Sequence, residues 1–286
     1  MREGKNVKYI FLNLKRFDVP RELGGVNSIL PLKDWAFYII NETQEKLKEY
    51  SALDVELVMF FPEAHLINAV GALCGSGPLK IGSQGVFRDD TAVGGNFGTF
   101  TTNRTANAVR AIGCVYTIIG HCEERKDKLE IMQEAGVTDN DAVNRLLNRE
   151  IKCAVNAGLK VLYCIGETIS EQTNWQNTLK KQIETGLDSV DINKVIIAYE
   201  PVWAIGPGKT PPDKDFIQMK ARFIKELTND AHVVYGGGLK KENAKMLASI
   251  AEIDGGLIAL TRFSGDIGFY PCEYLEIIQN FLNCDV

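Results

Sequence analysis

Eight short apolar stretches recur along these 286 residues, separated by segments with helical periodicity, and this alternation constrains the fold more than any other feature. The stretches are KYIFLNL, VELVMFFP, LKIGSQGV, CVYTIIGH, KVLYCIGE, KVIIAYEP, HVVYGGGL and GGLIALTR. They are nearly continuous in hydrophobicity, as parallel strands covered on both faces must be. The spacing between them predicts helices over Asp34 to Glu49, Glu63 to Leu73, Asn103 to Ile112, Ala142 to Ala157, Glu171 to Leu187, Asp213 to Leu227 and Lys241 to Ile250. A last helix follows Pro271, and Ala157-Gly158 makes a helix stop just before a strand. The units vary in length and share no signature, which argues against a short solenoid repeat. Eight strand–helix units predict a closed (β/α)8 barrel, an α/β fold, ahead of an open doubly wound sheet. No linker or low-complexity segment divides the chain, so residues 1–286 read as one domain. Two connections look longer than a minimal barrel needs, Arg16 to Lys33 and Lys126 to Asn140. Both are expected on the face where the strands end, where such loops shape a pocket.

A barrel with a pocket needs a ligand class, and charge narrows it. A net charge of −5 gives no broad basic face, which argues against general nucleic-acid binding but not against a small anion. Seven scattered cysteines without a CxxC pair suggest reduced thiols and a cytoplasmic protein. His65, His121 and His232 are the only histidines, and no two have metal-ligand spacing, so no metal is expected. The apolar stretch after Arg2, Lys5 and Lys8 is short and broken by Asn13 and Lys15, unlike a signal peptide, and no later run is long enough to span a membrane.

Several strands end in polar residues that a parallel barrel gathers at one mouth. The first ends in Asn13 and Lys15, whose spacing of two predicts one shared face. The fourth ends in Gly120-His121-Cys122-Glu123, the fifth in Cys164-Ile165-Gly166-Glu167 and the sixth in Glu200-Pro201. A carboxylate, an imidazole and an ammonium together suit proton abstraction beside a carbonyl: one takes the proton, one polarises the oxygen, one stabilises the developing charge. Each alone has a blander reading: Glu200 as an ion-pair partner, His121 as a hydrogen-bonded core residue, Lys15 as a solvated charge, Cys122 as a small packed side chain. Only the joint pattern favours catalysis. Gly206 and Gly208 flank Pro207, and Gly236-Gly237-Gly238 closes the seventh strand. Glycines let backbone N–H groups approach an anion, although tight turns alone would also explain them.

At this point the residues resemble a known family, triosephosphate isomerase. AYEPVWAIGPGKT resembles its catalytic-glutamate and lid segment, IIGHCEER its histidine segment, NLKRF its asparagine–lysine segment, and the run Tyr235 to Gly238 its phosphate loop. The matches follow the family's order across nearly the whole chain. The resemblance implies a TIM barrel and a cofactor-independent aldose–ketose phosphate isomerase, acting by default on dihydroxyacetone phosphate and glyceraldehyde 3-phosphate. It implies Glu200 as the base, His121 as the neutral electrophile, Lys15 as electrostatic stabiliser, Asn13 as its positioning partner, and Glu123 as support for Lys15 or the reacting groups. Pro201, Val202 and Trp203 are then the first hinge of a lid over about 201–210, Lys209 and Thr210 the second, and Gly206, Gly237 and Gly238 the phosphate grip. A homodimer is expected from the resemblance alone, with no nucleic-acid or membrane partner.

The chain also departs from the family. Cys122 and Gly238 stand where serine is usual, Glu124 where arginine is usual, and Ala259-Leu260 where two glycines usually bind phosphate. The interface loop is poorly matched around Thr101 to Thr105. Arg262, just past Thr261, is a candidate to replace the lost phosphate contacts with its planar fork. These changes keep two other readings open: an isomerase of a four-carbon ketose phosphate such as erythrulose phosphate, and a catalytically silent sugar-phosphate-binding barrel.

Overall fold

The protein, described by a computed structural model over residues 7–29, 31–75, 77–206 and 208–283, places a strand in each of the eight apolar runs. They are β1 (Lys8–Asn13), β2 (Val55–Phe61), β3 (Leu79–Ser83), β4 (Tyr116–Ile119), β5 (Lys160–Ile165), β6 (Val195–Tyr199), β7 (Val233–Tyr235) and β8 (Gly255–Ile258). All neighbours are parallel, in sequence order, and β8 returns to β1, so the sheet is a closed barrel. Pro207, Arg2, Lys5 and Cys284 of the sequence reading lie outside the described residues.

Alternation along each strand divides the core in two, because successive side chains point to opposite faces. Phe11, Val58, Phe60, Tyr116, Leu162 and Ile196 fill the barrel interior. Ile10, Leu12, Leu57, Met59, Val161 and Ile197 face outward against the helices. The ladders are uneven. Between β1 and β2 pairing runs from Lys8↔Val55 to Asn13↔Phe60. Between β3 and β4 it shrinks to Gly82↔Tyr116 and Ser83↔Thr117, and between β7 and β8 to Val234↔Gly255 and Tyr235↔Gly256.

The outer helices are α1 (Trp35–Leu47), α2 (Leu66–Ala72), α3 (Ala106–Ile112), α4 (Cys122–Glu134), α5 (Asn140–Asn156), α6 (Trp175–Gly186), α7 (Lys214–Leu227), α8 (Ala244–Ala248) and α9 (Pro271–Leu282). Some differ from the spacing-based expectation. α3 starts at Ala106 rather than Asn103, because the Thr105 side chain caps it by accepting the Ala108 N–H. α8 is shorter than Lys241 to Ile250. The largest correction is α4, which occupies most of the span 126–140 expected as a loop. None of its residues is fully buried, so it lacks the apolar stripe by which helices are read. The span 16–33 is irregular as expected, with short 3₁₀ turns at Arg21–Leu23 and Leu32–Asp34. No helix among the described residues is long and apolar enough to cross a membrane.

Candidate active site

The strand ends gather their polar side chains at one mouth, but not all by the expected route. β1 stops at Asn13, so Lys15 lies beyond it and strand alternation does not place it. A left-handed turn does: Lys15 has φ +40, which is costly for a residue with a Cβ. Asn13 Oδ1 accepts the Lys15 backbone N–H at 3.0 Å. Gln84 Nε2 donates to Asn13 Oδ1 at 3.3 Å, to the Lys15 carbonyl at 3.0 Å and to the Phe60 carbonyl at 3.3 Å. Gln84, unnoticed in the sequence, thus holds the strained turn together. The Lys15 ammonium donates to Glu123 Oε1 at 2.7 Å. Burial disfavours the Glu123 carboxylate, but the hydrogen bond and charge of Lys15 outweigh it and lower the pKa.

His121 caps α4 with its own ring: Nδ1 accepts the Glu123 backbone N–H at 3.3 Å. A nitrogen that accepts cannot carry the ring proton, so the neutral imidazole holds it on Nε2. Nε2 lies 3.6 Å from Glu200 Oε1. Glu200 directly follows β6 and is 1% exposed. Its Oε2 accepts the Cys122 backbone N–H at 2.9 Å, while Oε1 has no hydrogen-bond partner among the described residues. The neighbouring glycines make room: a Cβ on Gly236 would fall 2.7 Å from Glu200 Cγ, and one on Gly166 would strike the Glu200 carbonyl.

Behind these groups lies a second layer of contacts that single residues in the sequence do not reveal. Arg125 donates to the carbonyls of Gly120 at 2.8 Å and Cys164 at 2.9 Å, and to Asn144 at 2.8 Å, tying β4, β5 and α5 together. Glu124 accepts the Gly120 N–H at 2.6 Å and pairs with Lys128, which also meets Glu150 at 3.0 Å. Glu124 therefore fixes the Ile119–Gly120 peptide just ahead of His121. Glu167 is fully buried, and its Oε1 accepts from Tyr199 O–H at 2.9 Å and from Trp203 Nε1 at 3.4 Å, and meets Lys220 Nζ at 3.1 Å.

His121, Cys122 and Glu200 bring one nitrogen, sulfur and oxygen within 4.8 Å of one another, a set with the elements of a metal site. Burial followed by the Glu200 charge pushes the Cys122 thiol up to about 12. Burial and Glu200 likewise raise the Cys164 thiol well above its ordinary value. Both sulfurs are protonated packing groups.

Gly206 and Gly238 adopt φ +118 and +100, which favour glycine. The backbone N–H groups of Gly237 and Gly238 have no acceptor among the described residues. Asn243 steadies this loop by donating to the Gly238 carbonyl at 2.9 Å. Ala259 and Leu260 lie just past β8. The Arg262 guanidinium does not point freely: Nε donates to Glu273 at 2.9 Å, and the group stacks 3.9 Å from the Tyr270 ring centre. Val202 to Ala204 form a 3₁₀ turn, and Lys209 and Thr210 are exposed. Beside the mouth, a cleft of about 920 Å³ runs between α4, α5 and α6 and shares Cys122, Glu123, Val202 and Ile205 with it.

Comparison with known proteins gives the family. A sequence model described as triosephosphate isomerase matches residues 35–278. The triosephosphate isomerase of Geobacter metallireducens is 34% identical over 227 residues, covering 74% of this chain and 82% of that protein. That of Chlorobium luteolum is 36% identical over 210 residues, covering 69% and 76%. In three dimensions, the crystal structure of triosephosphate isomerase from Bartonella henselae superposes with a TM-score of 0.70 over 96% of this chain and 98% of that one, at 23% identity, a likeness of fold. The chain belongs to the triosephosphate isomerase family.

Proposed function

We propose that the protein interconverts dihydroxyacetone phosphate and glyceraldehyde 3-phosphate without a cofactor, as an aldose–ketose isomerase of sugar breakdown and its reversal. One observation carries the residue assignment: a buried carboxylate oxygen, Glu200 Oε1, has no partner among the described residues and lies 3.6 Å from the proton-bearing nitrogen of His121. Glu200 takes a proton from the carbon beside the carbonyl. The C–H electron pair becomes the enediolate double bond as Nε2–H of His121 protonates the carbonyl oxygen. Lys15 stabilises the negative charge. The adjacent hydroxyl returns its proton to His121, and Glu200 delivers its own to the neighbouring carbon, so protons balance over a turnover. Asn13 positions Lys15, and Glu123 steadies its ammonium. The lid over about 201–210 shuts out water, which protects the enediolate from losing phosphate.

The phosphate is assigned to the backbone N–H groups of Gly206, Gly237 and Gly238 and to the turn at Ala259 and Leu260. Arg262 joins them in this reading by exchanging Glu273 for phosphate. Arg262→Ala should then lower kcat/KM ~10-fold, the loss of a charged hydrogen bond. An unchanged kcat/KM would leave the guanidinium as a clamp on the segment 261–273. The exposed Val93 and Phe97, in the connection after β3, support docking of a second copy, which sedimentation tests as a concentration-dependent dimer. Free thiols among the described residues support a cytoplasmic location. Turnover and solvent-deuterium exchange with triose and four-carbon ketose phosphates test the function. Exchange without turnover of the triose phosphates would sink the triose assignment.

A further inference from the structure

Lys220 and Glu167 are the most deeply buried oppositely charged pair among the described residues, at 1% and 0% exposure, and no proton-transfer step uses them. Taking two ions out of water is costly, and apolar side chains of similar size fill such a place as stably. Stability alone therefore does not account for them, and their connections matter more. Glu167 follows β5, Tyr199 is the residue before Glu200, Trp203 lies in the first hinge, and Lys220 sits on α7, beyond the second hinge. One oxygen, Glu167 Oε1, meets all three partners, whereas Oε2 has none among the described residues. An oxygen meeting that many donors belongs to an ionised carboxylate, and a cation must balance it. The Lys220 ammonium lies 3.5 Å from the Trp175 ring centre and 4.7 Å from that of Phe216, so aromatic faces replace part of its lost hydration. Phe216 in turn packs edge-on to Trp203 at 5.7 Å.

We propose that Lys220 is a positioning residue: its ammonium keeps Glu167 ionised, so that one carboxylate oxygen ties the base-bearing end of β6, through Tyr199, to the first hinge, through Trp203. The tie rests on the reading of Glu200 as base and of 201–210 as lid. Of the contacts, that of Trp203 at 3.4 Å is the longest and hence the first to release when the hinge turns. Lys220 and Tyr199 then keep the carboxylate in place for its return. Without the ammonium, Glu167 loses its one charged partner, and both hinge and base lose their common anchor.

Burial pulls Lys220 from 10.5 down to about 8, although Glu167 pulls it back, so alkali should imitate removal of the charge. The charged or titratable groups meeting this cluster are Glu167 after β5 and Tyr199 on β6; Trp175, Phe216 and Trp203 contribute uncharged rings. The test follows the Trp203 indole N–H resonance with pH, alongside phosphate released per isomerisation. In the wild type the resonance should shift with a midpoint at about 8. In Lys220→Met it should start displaced and not titrate, while phosphate released per turnover rises on the order of tenfold with little change in KM. Should that variant fail to fold, Lys220→Met with Glu167→Leu removes both charges and the shared acceptor oxygen together and should show the same two signatures. A folded variant matching the wild type in both the resonance and the phosphate ratio overturns the tie. A wild type whose Trp203 titrates but which isomerises no triose phosphate sinks the isomerase reading and leaves the tie standing.

Discussion

Glu200 is nearly inaccessible, yet one of its oxygens is free to accept a proton, because a single backbone N–H, that of Cys122, anchors the other. In the proposed reaction, the distance from backbone to Oε1 sets the reach of the base. Glu200→Asp withdraws the carboxylate by one methylene and should cost ~100-fold in kcat, with KM changed far less, in steady-state kinetics on the triose phosphates. A kcat near the wild type would remove Glu200 from the role of base. The thiols give a separate test. Alkylation at neutral pH, followed by mass spectrometry, should modify exposed Cys74 and Cys272 well before Cys122 and Cys164. Burial and the Glu200 charge keep the latter two protonated. Asn13, Lys15, His121 and Glu200 were legible because each stands in a short contiguous stretch at a strand end. Gln84 was not, since its importance lies wholly in three carbonyl-type acceptors supplied from β1, β2 and the turn after β1. The left-handed Lys15 was equally hidden: spacing predicts alternation only while the strand continues.

Helices built on amphipathic stripes were readable, and α4 shows the limit of that method. CEERKDKLEIMQE has no continuous apolar face, and what holds the helix is its start: the His121 cap and the tertiary contacts of Glu124 and Arg125. Gly120 is a local partner, but the other acceptors of Arg125, the Cys164 carbonyl and Asn144, come from β5 and α5, beyond any local window. α7 is the opposite case, with a strong apolar face and a side-chain cap, Asp213, that accepts the Phe216 N–H at 2.8 Å. Asp213→Ala should cost about 1 kcal/mol in denaturant unfolding, the usual worth of an N-cap. Because this turn of α7 also carries Phe216 beside Lys220, the variant should loosen the hinge anchor in the Trp203 resonance as well. A stability loss without any displacement of that resonance would separate the cap from the anchor.

Across the whole molecule, the strand-end cluster and the ion cluster around Glu56 occupy opposite ends of the barrel. Glu56, near the start of β2, accepts from Lys80 at 2.6 Å, Lys160 at 2.8 Å and Tyr116 O–H at 2.7 Å. Burial would raise its pKa, but these three partners bring it from 4.5 down to about 2. The unfolded chain then holds more protons between those values, so this stability is complete above 4.5 and disappears as the pH falls to about 2. Glu56→Gln should remove ~3 kcal/mol of that acid-side dependence, read from denaturant unfolding at several pH values. Glu150 works in the other direction. Burial and the Glu124 charge raise it from 4.5 to about 8, so the folded state holds the extra proton and loses stability as the pH rises between them. Glu150→Gln should flatten that slope. The thin pairing of β3 with β4 and of β7 with β8 has a consequence for how the molecule opens. Those two seams divide the barrel into an arc of β8, β1, β2 and β3 and an arc of β4 to β7. Amide exchange under native conditions should release deuterium label fastest along the seams, with each arc behaving as a cooperative unit. Asn13 and Lys15 ride on one arc, His121 and Glu200 on the other, so the constellation proposed for proton transfer exists only while both arcs remain joined.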